Sequence, residues 1–163
     1  MSHSAPFLGL AEALERVRST SSKNQKVETL SAYLKGLKPE DAEVAARVAS
    51  GRSSERGSKD EAQVGYSTLL EVLREVTGVT REGVSRSYLR HGDLGEVAEE
   101  LLAEKKEQPL FSEPLTLGDL DEAFQRLRSL KGHGSAAAKR GVVKSLVLRA
   151  TPVEGKYVDR GGS

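Results

Sequence analysis

The chain has 163 residues, 30% of them charged, with a formal net charge of +1 and no cysteine. Disulfides and thiolate metal sites are therefore excluded, and no stretch approaches the roughly 18 apolar residues of a membrane span. Met1 to Leu10 also lacks the basic-then-apolar order of a secretory signal, so the expectation is one domain, residues 1–163, in the cytoplasm.

Apolar residues recur at helical spacing from the start. Phe7, Leu10, Ala11, Leu14 and Val17 predict a first helix, and Val27, Leu30, Leu34 and Leu37 a second. Val44, Ala45 and Val48 predict a third, opened by Pro39 because proline suits a first helical turn. The run 51–62 is rich in serine, glycine and charge without periodicity, and is expected to be a flexible connector. Tyr66, Leu69, Leu70, Leu73 and Val76 predict a fourth helix stopped at Gly78. Val84 and Tyr88 predict a fifth, stopped at Gly92. A sixth, with Leu94, Val97, Ala98, Leu101 and Leu102, follows a box-like cap of Asp93 with Glu96. Leu117, Leu120, Phe124, Leu127 and Leu130 predict a seventh behind Thr116 as N-cap. Val142, Val143 and Leu146 predict an eighth, and Pro152 opens the last. No comparable stretch alternates with period two, so the fold class is all-α.

Residues 6–40 repeat over 119–153 at constant offset. Leu14 meets Leu127, Val17 meets Leu130, Ser22 meets Ser135, Lys26 meets Lys139, Leu30 meets Val143, Leu34 meets Val147 and Pro39 meets Pro152. Each copy reads helix, polar loop, helix, then proline opening another helix. A pseudo-two-fold arrangement of the two units is expected, with both loops on one side. Charge is segregated as well: Arg16 to Lys38 holds six basic residues against Glu28, Lys131 to Arg149 five against none, and Asp93 to Glu107 six acids against two lysines. Such segregation suits a face that meets a polyanion.

The two loops carry the candidate chemistry. Ser21, Ser22 and Lys23, and Gly132, His133, Gly134 and Ser135, each lead into a helix whose open amides and positive dipole end receive phosphate. Lys26 and Lys139 stand one turn further on, with Arg140 beside the second. The plainer reading makes Ser22 and Ser135 simple N-caps and the lysines solvent-facing. Two clamps related by a dyad suit a duplex better than a lone nucleotide, and contacts of this kind grip without reading bases.

Catalytic signatures are lacking. Counting back from Lys139 puts His133 and Ala138 where a phosphate-binding P-loop needs glycine, and Arg140 where it needs Ser or Thr. His3, His91 and His133 have no metal-ligand spacing, so no metal or cofactor is assigned to this chain. Glu99 and Glu100 read as a solvated pair on a charged helix.

The segments 92–99 (GDLGEVAE), 108–112 (QPLFS), 114–116 (PLT), 132–135 (GHGS) and 150–157 (ATPVEGKY) together resemble the N-terminal DNA-binding domain of ATP-dependent DNA ligases of the archaeal and eukaryotic replicative type, also found in bacteria. Thr20-Ser21-Ser22-Lys23 and Val64-Gly65-Tyr66 fit the same pattern, and the likeness runs from Phe7 to Val158. It implies a helical module that binds nicked double-stranded DNA through backbone phosphates, in a parent that joins nicks in replication and repair with ATP and Mg, alongside adenylation and OB-fold domains. It carries over Ser21, Ser22, Lys23, Gly132, Gly134 and Ser135; Lys26, His133, Lys139 and Arg140 are added on physical grounds, with Arg52 and Gly65 as weaker candidates. The family's second Val-Gly or Leu-Gly helix entry and second GDLGEVAE-like copy are not present, so the domain reads as truncated at its C-terminus. Lys156 lacks the Glu-x-Lys-x-Asp-Gly setting of the adenylated lysine. The alternative is a helical scaffold whose hairpins and acidic helix 93–106 dock proteins without DNA.

Overall fold

A computed structural model describes residues 4–50, 66–105, 113–132 and 134–162, with backbone alone for 66 and 159–162. Among the described residues the chain forms nine helices: α1 Phe7–Arg18, α2 Lys23–Lys35, α3 Pro39–Ser50, α4 Tyr66–Thr77, α5 Arg81–His91, α6 Leu94–Ala103, α7 Leu117–Ser129, α8 Ser135–Arg149 and α9 Pro152–Gly162. The expected all-α class is observed. The connector expected at 51–62 lies outside the described residues.

The helix ends follow local chemistry. Gly92 takes φ +66 at the end of α5, and its amide returns to the Tyr88 carbonyl, a left-handed stop that a side chain would strain. Thr116 caps α7 in a full capping box with Asp119. Thr151 and Glu154 exchange the same reciprocal bonds, at 2.8 and 3.3 Å, where α9 begins. One cap differs from expectation. Asp93 accepts from the Gly95 amide, but the Glu96 carboxylate turns away to Arg18, because a strong cation in reach outcompetes a single backbone amide.

The apolar stripes interlock into one core. α1 contributes Phe7, Leu10 and Leu14, α4 Leu69, Val72 and Leu73, α6 Val97 and Leu101, α7 Leu117, Leu120 and Phe124, and α8 Val143 and Leu146. α6 lies closely along α9, α4 along α8, and α1 along α2. Burial of each large side chain contributes roughly 1.5–3 kcal/mol. One peripheral helix differs from this pattern. α2 has no buried residue, and Val27, counted into its apolar stripe, is 63% exposed.

The entries to α1 and α7 are tied directly to one another. The Phe7 amide donates to the Leu115 carbonyl and the Leu117 amide to Ala5, both at 2.8 Å, forming an isolated antiparallel bridge between Pro6 and Thr116. Beneath it, buried Asp41 on α3 accepts from the Ser4 hydroxyl at 2.7 Å and the Ala5 amide at 2.8 Å, while the Gly118 amide donates to the Ser4 oxygen.

Candidate nucleic-acid interface

The first loop, Ser19 to Ser22, joins α1 to α2. The Thr20 oxygen accepts from the Ser22 amide at 3.2 Å, its hydroxyl meets the Gln25 side chain at 2.6 Å, and Ser22 caps α2 by accepting from the Gln25 amide at 3.3 Å. These bonds spend the Thr20 and Ser22 hydroxyls on the loop's own shape, and Ser21 takes no part in them. What remains for an anion is the opening of α2 itself, the amides of Lys23 and Asn24 that helix geometry leaves unbonded, with no acid in the first turn. Ser21, Lys23 and Lys26 are exposed around it, and Ser22 is half-buried.

The second loop, Leu130 to Gly134, joins α7 to α8 by another route. Gly132 and Gly134 take φ +89 and +82, a region open to glycine but strained for other residues. Gly134, and not Ser135, occupies the cap position, so Ser135 becomes the first residue of α8 and its amide returns to the Gly132 carbonyl. The Ser22–Ser135 equivalence therefore slips by one residue at the helix start. The first turn again carries no acid, Ser135 being followed by three alanines, and Lys139 stands half-exposed behind it. His133, Arg52 and Gly65 lie outside the described residues.

Ion pairs sort the basic blocks into two groups. Arg18 bonds Glu96 at 3.1 Å, Lys144 bonds Glu75 at 2.6 Å, and Arg149 bonds Asp119 at 2.9 Å as well as the Glu113 and Pro114 carbonyls. Arg140 is held by Glu71 across the α4–α8 seam, so it is a seam cation and does not stand free beside Lys139. Among the described residues no ion pair is formed by Lys23, Lys26, Lys35, Lys131 or Lys139. Among the described residues the lysines around both helix openings, Lys23, Lys26, Lys131 and Lys139, are thus left without an ion pair.

Among the described residues, Asp93, Glu96, Glu99 and Glu100 of the acidic segment are engaged internally, while Glu104 forms no ion pair. Glu96 serves Arg18 and lies near His91, Glu100 takes Arg90 and the Ser87 hydroxyl, and Glu99 lies 3.5 Å from Lys156. Burial raises the Glu100 carboxyl less than the Ser87 and Arg90 bonds lower it, so it sits below the ordinary carboxylate range. The string ending in Lys156 and Tyr157 is structural too. Lys156 is buried 2.9 Å from Glu15, the Tyr157 hydroxyl donates to Glu15 at 2.6 Å, and burial with that bond pushes the phenol well up. Sequence reasoning missed this cluster; a lysine between two apolar-stripe residues in a helix was its only trace.

Among the described residues no group of three or more His, Cys, Asp or Glu is placed to hold a metal ion, and no helix is long and apolar enough to cross a membrane. The model of the family described as "DNA ligase N terminus" matches residues 6–160. A DNA ligase of Methanopyrus kandleri is 29% identical over 155 residues, covering 94% of this chain and 28% of the relative. One from Archaeoglobus fulgidus is 33% identical with the same coverages, and a probable DNA ligase of Koribacter versatilis is 31% identical over 149 residues, 91% of this chain and 25% of the relative. The chain thus spans about a quarter of the length of the relatives it matches. Because that family model matches residues 6–160, nearly the whole chain, the chain belongs to the DNA ligase N-terminus family.

Proposed function

We propose that the chain binds double-stranded DNA around a nick without reading sequence, through the backbone phosphates received at the openings of α2 and α8. The observation that carries this reading is the pairing of two acid-free helix openings with lysines that have no ion-pair partner, in a chain of the ligase N-terminal family. Ser21, Ser22, Lys23 and Lys26 form one clamp; Gly132, His133, Gly134, Ser135 and Lys139 form the other, with Arg140 at its edge as a support of the α4–α8 seam. Arg52 and Gly65 stay as weaker candidates.

The packing supports a dyad between the clamps. α1 lies on α9 as α7 lies on α3, α1 on α2 as α7 on α8, and α2 on α3 as α8 on α9, while α8 also packs on α4 and α7 on α9 without a like contact in the first three helices. On this reading the two loops are equivalent ends of one surface. In the longer protein the parent joins nicks with ATP and Mg, and adenylation and OB-fold domains close on DNA that this module holds, in the cytoplasm.

Measuring binding to a nicked duplex against salt tests the reading. Counterion release predicts that log affinity falls linearly with log salt, with a slope near −0.9 for each phosphate neutralised. Binding that ignores salt, or preference for one sequence among unrelated duplexes, overturns it. The scaffold alternative loses its main support, because the carboxylates of Glu96, Glu99 and Glu100 are engaged within the molecule.

A further inference from the structure

α4 and α5, joined by residues 78–80, form a hairpin with an unfilled groove on its outer side. The cavity holds about 510 Å³ and is lined by Leu70 and Arg74 of α4 and by Arg81, Val84, Tyr88 and Leu89 of α5. Leu89 is 84% exposed and Tyr88 38%, two of the four large hydrophobic side chains exposed among the described residues. A lone exposed leucine carries no information, but two apolar side chains bordering one concave apolar surface mark a contact site.

The rim is cationic. Arg74 and Arg81 line it, and Glu71 at the groove edge is already taken by Arg140. Arg74 lies along the groove with its Nε buried and without a hydrogen-bond partner among the described residues. An apolar floor with basic edges selects for an occupant that is apolar and acidic together. A phosphate backbone supplies the charge but nothing to cover Leu70 and Leu89. A second copy of this chain fits no better, since its acidic helix α6 has its carboxylates engaged internally.

We propose that this groove docks an acidic amphipathic helix of a partner protein, which seats apolar side chains against Leu70, Val84 and Leu89 and sets carboxylates against Arg74 and Arg81. The volume lies within the range of roughly 300–1,000 Å³ typical of binding pockets, and a two-helix hairpin presents the hollow that a third helix fills through anchors at i, i+3, i+4 and i+7. The DNA reading rests on other helices, α2 and α8, so either proposal stands or fails by itself.

The probe is a fluorescein-labelled peptide of about 15 residues, long enough to turn helical on binding, with Leu at i, i+3, i+4 and i+7 and Glu elsewhere. Anisotropy titration with the whole chain is expected to saturate, and amide NMR shifts to concentrate in α4 and α5. Leu89→Ser, at a site too exposed to unfold the chain, and Arg81→Glu are each expected to weaken binding about tenfold or more. Affinity for nicked duplex should stay unchanged with Leu89→Ser. The proposal is overturned by failure to saturate at about 1 mM peptide, by binding that survives both substitutions, by shifts centred elsewhere, or by a loss of duplex affinity with Leu89→Ser, which would assign the groove to DNA.

Discussion

Gly95 of α6 meets the backbone of Lys156 so closely that a Cβ on residue 95 would stand 2.5 Å from the Lys156 carbonyl oxygen. Facing it, a Cβ on Gly155 would meet the tip of the Leu102 side chain. Both glycines lie inside helices, where they cost stability relative to alanine unless close approach requires them. The central Gly of the GDLGEVAE string therefore marks a seam between helices.

Gly95→Ala is expected to lower stability by about 1–3 kcal/mol, because backbone cannot step aside as a side chain can. Gly155→Ala should cost less, since the Leu102 tip can change rotamer. Urea unfolding of the two variants checks the order, and an equal or reversed ranking contradicts the close-packed α6–α9 seam.

Asp41 is buried at 3% exposure while accepting two bonds at the entry to α1. Asp41→Ala leaves the Ala5 amide and Ser4 hydroxyl without their acceptor and should cost about 2 kcal/mol. Hydrogen exchange at Phe7 and Leu117 should quicken together, because both amides sit in the bridge above it.

Stability against pH has contributions of opposite sign. Burial raises the Glu15 carboxyl, but bonds from Tyr157 and Lys156 outweigh it and hold it below its ordinary 4.5; burial likewise raises Asp119, yet the Thr116 amide and Arg149 bring it below 3.8. Each contributes stability that is present above the ordinary value and lost as pH falls through the lowered one. Glu154 runs the other way, since burial lifts it above 4.5 despite the Thr151 bonds, so its contribution is full below that value and lost as pH rises through the raised one. Urea midpoints at about pH 7 and about pH 3 should show Glu15→Gln and Asp119→Asn more destabilised at the first than at the second. Glu154→Gln, which keeps the cap, should match or exceed wild type at the higher pH.

Lys139→Ala should weaken binding about equally on unrelated duplexes and reduce the salt slope by roughly one. Arg140→Ala should change the slope less and cost about 0–1 kcal/mol of stability, as an exposed pair with Glu71 does. Equal slope changes for the two would return Arg140 to the DNA surface.

Most of the helices were legible because their stripes are long and their ends carry local signals such as Pro39, Gly78, Gly92 and Thr116. What escaped depends on which helix lies opposite. Val27 fits the spacing of an apolar stripe, but no helix among the described residues covers it. Glu96 fits a capping box, yet Arg18, far away in the chain, draws it off. Arg140 looked like a phosphate ligand beside Lys139 until Glu71 of α4 was placed against it. Leu89 was invisible as a docking residue because it lies off the apolar stripe of Val84 and Tyr88, and only the placement of α4 gives it a groove.

The bond from the Gly118 amide to Ser4 joins positions 114 residues apart, and the bridge above it is nearly as distant. Closing so long a loop carries an entropic cost that the local helix hairpins avoid, and contacts of this range slow folding. The first and seventh helices must therefore be brought together late, after the intervening chain has been synthesised and has begun to pack. A ribosome-bound chain arrested before Leu115 would hold α1 without its anchor, exposing Phe7 and Leu10 to chaperones.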